Sequence, residues 1–266
     1  MPELPDVEIF KRIVDRHCLG QIVVRVDVTD PDSVDNASSS SIERSLQGTR
    51  VRACFRYGKY LLIDCDRGGS LVMHFGTNGS LQFVASTQPD PPYGRLSLVF
   101  QNGDRLIYIN PRRIGRVGLV EHAEAFLAEA GLGPDALDRS LDEAAFVALL
   151  AARKQPIKAV LMDQSRVAGI GNVYADEILF HARLHPRVIA ATLDRNEIHR
   201  LFLAMHCVLQ IAIERGAGAE GFTDRLPAGF LLPERHAGGR CPRCGAAIQS
   251  DKSGGRTGYF CPVCQP

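Results

Sequence analysis

The sequence has almost no excess charge, no long apolar run and no repetition. Its 31 basic and 30 acidic side chains leave a formal net charge of +1. That balance argues against a uniformly basic nucleic-acid binder but not against one whose charge is segregated along the chain. No stretch approaches the roughly 18 apolar residues of a membrane helix, so no membrane partner is expected. The opening MPELPDVE is acidic and carries prolines, so it does not read as a secretory signal. On that expectation the eight cysteines do not read as a disulfide framework. Internal repeats and low-complexity tracts are missing too. With 45% hydrophobic and 23% charged residues, the chain reads as globular, long enough for one large domain or two of ordinary size.

Four of the cysteines are ordered. Cys241, Cys244, Cys261 and Cys264 form two CxxC pairs, while Cys18, Cys54, Cys65 and Cys207 are scattered. Each CxxC turn aims two sulfurs at one point, and two such turns make a tetrahedron, so the pattern predicts one closed, structural zinc site. Between the pairs, the AAI and TGYF stretches are expected to form a small β-hairpin with KSGGR at its tip. By itself such a tip is a solvated turn.

Apolar spacing predicts a helix over residues 3–19, stopped by Gly20. From 21 to 120 come short runs rich in β-formers (QIVVRVDV, RVRACF, KYLLIDC, SLVMHF, SLQFV, RLSLVF, RLIYI), punctuated by RYGK, DRGGS, TNGS and QNGD turns. This predicts an antiparallel sandwich or barrel. Residues 121–149 carry seven acidic residues against Arg139 and read as a link between domains. Ser140 and Glu143 suggest a capping box opening the next helix. Helices follow near 156–163, 172–182 and 194–215, and then a Gly- and Pro-rich loop over 216–240.

In VLMDQSRVAGIGNVYADEILFHARLHP a helix, a glycine turn and a second helix succeed one another. The amides of G-I-G-N at a helix N-terminus offer a phosphate site, with Asn172 adding donors. An ordinary helical hairpin fits this segment equally well. Basic residues cluster at Arg95, Arg105, Arg112, Arg113 and Arg116, and again from Arg153 to Arg187. Together with a zinc hairpin they point to DNA or RNA.

P2-E-L-P-D-V-E8, R-Y-G-K59-Y-L-L-I, V-A-G-I-G-N172-V-Y-A-D-E-I-L-F and G-R256-T-G-Y-F-C-P-V-C264-Q run through the chain in one order. In these motifs the sequence resembles the formamidopyrimidine-DNA glycosylase family, which includes the endonuclease VIII branch. PELP leans toward the formamidopyrimidine branch. The resemblance implies an α+β fold with an N-terminal β-sandwich and flanking catalytic helix (1–120). A linker and first helix (121–150), a helix-two-turn-helix domain (151–235) and the zinc hairpin (236–266) would follow, with DNA in a cleft. It implies a monomeric, cytoplasmic, nucleoid-associated glycosylase/AP lyase of base excision repair that acts on damaged double-stranded DNA.

The implied nucleophile is Pro2, exposed by removal of Met1. An α-amino group titrates near 8, well below lysine, so a useful fraction is neutral at pH 7. Glu3 would move protons at the sugar, while Lys59 and Arg256 would assist elimination. His74, Tyr93, Arg112, Arg153, Lys158 and Asn172 would contact DNA, chiefly its phosphates. Asp6, Thr77 and Ile114 would lie at the lesion pocket and wedge. Here the sequence departs from the family. Thr77 stands for a methionine and Ile114 for a phenylalanine. Asp6 stands for a glutamate and Asn110 for an aspartate, and the segment 216–235 is short and divergent. The lean toward the formamidopyrimidine branch makes oxidised purines the expected substrates, and the departures bear on base identity more than on the glycosylase/lyase chemistry. Oxidised pyrimidines or unusual lesions, a non-catalytic damage-binding protein, and a zinc-ribbon RNA or protein-interaction module stand as alternatives.

Overall fold

A computed structural model describes residues 1–219, 221–253 and 255–266. The chain divides into two compact units. One comprises Met1–Pro2 and Val7–Gly131, the other Glu3–Asp6 and Leu132–Pro266.

The first unit is a β-sandwich. Strands β1 (Val23–Val28), β7 (Gly94–Phe100), β8 (Arg105–Ile109) and β6 (Ser80–Val84) pair antiparallel in that order. The second sheet runs β2 (Val34–Asp35), β9 (Arg116–Val120), β5 (Ser70–His74), β4 (Tyr60–Cys65), β3 (Val51–Tyr57), with only β2 parallel to its neighbour. Val26, Leu98, Leu106 and Tyr108 of the first sheet share one core with Leu61, Ile63, Leu71 and Met73 of the second. The helix α1 (Leu4–His17) lays Val7 and Val14 on that core. Helix α2 (Ser39–Leu46) lies in a serine-rich stretch with no strong helical signal. Ser38 caps it, and burial of Ile42 and Leu46 stabilises it. Helix α3 (Ala123–Glu129) occupies part of the acidic stretch expected to be linker.

The second unit is helical. It contains α4 (Glu143–Leu150), α5 (Ile157–Met162), α6 (Asn172–Ala182) and α7 (Arg195–Arg215). The cap of α4 is Asp142, whose carboxylate accepts from Ala145 N at 2.8 Å. Ser140 is not the cap; its own amide donates to Asp138 at 2.7 Å. A capping box does open α7, between Asp194 and Glu197, and Gly216 ends it at φ +65°. Apart from Asn172 and His181, which are partly exposed, every residue of α6 is buried. The zinc hairpin comprises β10 (Gln249–Ser253) and β11 (Arg256–Phe260). Its first strand is thus QSDKS rather than AAI, because Ala247 is already bridged to Arg240. The hairpin-tip residue Gly254, and Glu220 in the divergent segment, lie outside the described residues.

Candidate active site

The start of α1 is organised by one carboxylate. Glu3 is fully buried, and one of its oxygens accepts N–H bonds from Gly171 (2.8 Å) and Tyr174 (3.0 Å). The other accepts from Val173 (2.8 Å). Helix starts leave such amides without partners, and negative charge is favoured there. Only glycine fits at 171, since a Cβ would lie 2.4 Å from the Glu3 carboxyl carbon. Leu4 N donates to Gly169 O at 3.0 Å, which fixes the next residue as well. Of the G-I-G-N amides that the sequence offers to a phosphate, Gly171 is therefore taken by the chain's own Glu3, and Gly169 N donates to Gln164 Oε1 at 3.0 Å. The turn faces the interior, where a buried side chain is the partner at hand. Pro2, half-buried, is one peptide bond from this anchor.

Asp6 continues the arrangement. Its carboxylate accepts from Glu3 N at 2.8 Å and from Ala219 N at 3.0 Å, so it ties the helix start to the segment after α7. Burial pushes this carboxyl up to about 7. The charge of Glu3 acts in the same direction, against the two amide bonds. Tyr174 Oη donates to Ala217 O at 2.9 Å and pins the same segment. Further along, Phe222 is 61% exposed with the Arg225 guanidinium 4.0 Å above its ring.

In the sandwich unit, Lys59 sits in the two-residue turn between β3 and β4, not on a strand. It is 7% exposed, far from a solvated lysine. Its charge, after burial, helps hold the His74 imidazole below the ordinary histidine range. His74 Nδ1 accepts from Gly76 N at 3.3 Å. Gly76, at φ +61°, lies against the backbone of Ile114 and Gly115, where a Cβ would meet Gly115 N at 2.4 Å. This contact brings the loop bearing Thr77 beside the loop bearing Arg112 and Ile114. Arg112 and Ile114 are exposed, whereas the Thr77 hydroxyl is buried. Asn110 organises the second loop by donating to Gly115 O at 3.1 Å and to Tyr108 Oη at 3.3 Å. Tyr93 is 58% exposed at φ +64°.

In the helical unit, Arg153 is half-buried and donates to Leu149 O at 3.4 Å. Lys158 is 6% exposed and ion-paired to Asp176 at 2.6 Å. Asn172 donates through Nδ2 to Thr257 O at 2.9 Å, so its amide joins α6 to the hairpin. Arg256 is exposed at the first position of β11. Asp176 and Arg235 were not singled out from the sequence. The available signal was an adjacent Asp–Glu pair inside the otherwise apolar helix NVYADEILFHA, since buried carboxylates require partners.

The sulfurs of Cys241, Cys244, Cys261 and Cys264 all lie within 4.8 Å of one another, at 3.8 Å for 241–264 and 3.5 Å for 244–261. Four thiolates about 2.3 Å from zinc stand about 3.8 Å apart, so the set fits a closed tetrahedral site. The site holds one structural zinc.

Residues 1–117 match the formamidopyrimidine-DNA glycosylase N-terminal domain, 132–224 the H2TH domain of the same enzymes, and 238–266 a zinc finger found in FPG and IleRS. A formamidopyrimidine-DNA glycosylase from Geobacter metallireducens is 36% identical, with 100% of both chains covered. The chain belongs to the formamidopyrimidine-DNA glycosylase family. As a member it is a DNA glycosylase/AP lyase of base excision repair. Among solved structures, Lactococcus lactis Fpg with DNA containing N7-benzyl-Fapy-dG aligns at TM-score 0.88 and 29% identity, with 99% of each chain covered. The same protein with DNA containing an oxidised pyrimidine aligns at 0.88 and 30%, again over 99% of each. Among the described residues no helix is long and apolar enough to cross a membrane.

Proposed function

We propose that the chain removes oxidised purines from damaged duplex DNA through a Pro2 iminium and then cuts the strand. It would act as a monomer in the cytoplasm, at the nucleoid. The observation that carries this reading is the three-amide lock on Glu3, which holds the residue next to Pro2 in one place. After loss of Met1, the Pro2 nitrogen attacks the sugar C1′, and the base leaves with the electron pair of its glycosidic bond and takes up a proton. The Pro2 nitrogen then gives up its proton, and Glu3 delivers a proton to O4′ as the C1′–O4′ bond breaks, which opens the ring and leaves C1′ as the iminium. The iminium makes C2′ acidic. Loss of that proton expels the 3′ phosphate, and loss of the C4′ proton expels the 5′ phosphate.

Lys59 assists the first elimination and Arg256 the second. His74, Tyr93, Arg112 and Arg153 hold the DNA, Lys158 and Asn172 would join them by giving up Asp176 and Thr257 O, and Asp6, Thr77 and Ile114 meet the everted nucleotide and the gap it leaves. Extruding a base costs a few kcal/mol, which such grips offset. Oxidised pyrimidines are the second reading, favoured by the short side chain of Thr77 and the non-aromatic Ile114. The relative solved with an oxidised-pyrimidine DNA is consistent with it.

Borohydride trapping on an abasic-site duplex tests the chemistry. Protein with a free Pro2 amine should cross-link, and protein carrying an N-terminal extension should not. No adduct from the unblocked protein would leave a damage-binding protein as the reading. A panel of 8-oxoguanine, formamidopyrimidine and thymine glycol duplexes separates purine from pyrimidine preference.

A further inference from the structure

Asp176 lies on a buried helix and is 1% exposed. A carboxylate in such a place costs several kcal/mol unless charges and donors surround it. Lys158 reaches one oxygen at 2.6 Å from α5. The Arg235 guanidinium reaches the other at 2.9 Å, and so does the backbone amide of Tyr259 on β11, also at 2.9 Å. Neighbouring contacts extend the grip along the strand. Thr257 O accepts from Asn172 Nδ2 at 2.9 Å and from Arg235 Nη2 at 3.3 Å. Gly258 lies flat on the ion pair, where a Cβ would stand 2.1 Å from Lys158 Nζ and 3.1 Å from Asp176 Oδ1. Residues 257, 258 and 259 are thus held one after another, directly beyond Arg256. The opposite strand is tied down as well, by the Arg187–Asp251 pair, with Asp251 facing Gly258 across the hairpin.

Arg256 itself makes no side-chain hydrogen bond or ion pair among the described residues, so the strand backbone alone sets where its guanidinium starts. We infer that Asp176 is a positioning residue for Arg256: by gathering Lys158, Arg235 and the Tyr259 amide, it fixes β11 on α6. Removing its charge leaves the buried Lys158 and the part-buried Arg235 without their shared counter-ion and releases the strand. The proposal rests on the reading that Arg256 supports the second elimination.

The experiment uses the full-length zinc-loaded protein and an end-labelled abasic-site duplex. It measures the ratio of double- to single-elimination product, the rate of borohydride trapping and the zinc content. Asp176→Asn should lower the product ratio about tenfold, the scale of one charge-assisted hydrogen bond. Trapping should stay close to wild type and zinc at one per chain. Asp176→Glu, which keeps the charge, should recover part of the ratio. Gly258→Ala disturbs the same contact from the strand side and should shift the ratio in the same direction even if Asp176→Asn fails to fold. Arg256→Ala is the reference. If Arg256→Ala lowers the ratio while folded, zinc-bound Asp176→Asn or Gly258→Ala does not, the positioning role is wrong. If Arg256→Ala leaves the ratio unchanged, the reading of Arg256 is wrong and the positioning role falls with it.

Discussion

At the residue scale, the decisive groups are carboxylates whose partners are backbone amides. Glu3 can be replaced by glutamine at nearly constant volume, but the amide has one acceptor oxygen for three N–H donors on two sides. A buried donor is then left unsatisfied, at about 1–3 kcal/mol. Glu3→Gln is therefore expected to lower the thermal midpoint and to abolish trapping on abasic DNA, read by calorimetry and gel.

Asp6 gives a pH signature. Its folded pKa of about 7 lies above the ordinary 3.8, so the native state binds the proton more tightly than the unfolded chain. Its contribution to stability is present in full below about pH 4 and is lost as pH rises toward 7, at about 1.4 kcal/mol per unit at most. Denaturant titrations of wild type should show stability declining from pH 5 to 7, and Asp6→Asn should flatten that decline. The same slope in both proteins would contradict the assignment.

At the element scale, the zinc hairpin has little core of its own, since its apolar contacts are a small cluster around Phe180, Leu231 and Ile248. Metal binding in such modules is folding free energy. Chelation, or Cys261→Ser, should drop zinc from one per chain to none and remove double-elimination product. The β-sandwich signal in circular dichroism should persist, because that unit has a separate core. Much at this scale was legible in the sequence. The extent of α6 and the capping box of α7 follow from local pattern. Helix α2 did not, because serine is indifferent and packing of Ile42 and Leu46 decided it. The first strand of the hairpin was misplaced because the register is set by a bridge between Arg240 and Ala247 that no local signal marks.

At the scale of the whole molecule, the net charge of +1 hides a division between paired and unpaired cations. Arg95 and Arg113 both reach the buried Asp30, Arg105 pairs with Asp90, Arg116 with Asp35 and Arg187 with Asp251. Much of the basic segment from 95 to 116, read as a phosphate surface, is thus committed within the fold. Arg112, Lys154 and Arg256 are exposed, with no such partner among the described residues. Binding to abasic duplex should therefore depend only modestly on salt, with a log–log slope of about −3 to −5 for a handful of phosphate contacts. Fluorescence anisotropy between 50 and 300 mM salt checks it, and a slope near −10 would mean that the paired arginines open to bind DNA.

Local pattern was enough to establish seven strands of the sandwich, the long helices, the zinc ligands and the family motifs with their candidate nucleophile, because turn chemistry, apolar period and cysteine spacing act over a few residues; the short β2, β9 and the first hairpin strand were not marked by it. Tertiary structure alone decided which charges are spent. The Gly171 amide of a turn that reads as an anion site is taken by Glu3 from 168 residues away, and Lys158 is turned inward onto Asp176. Desolvation is the reason. Once a carboxylate or an ammonium is buried, the nearest opposite group in space becomes its partner, and nearness in space is not a property of the sequence.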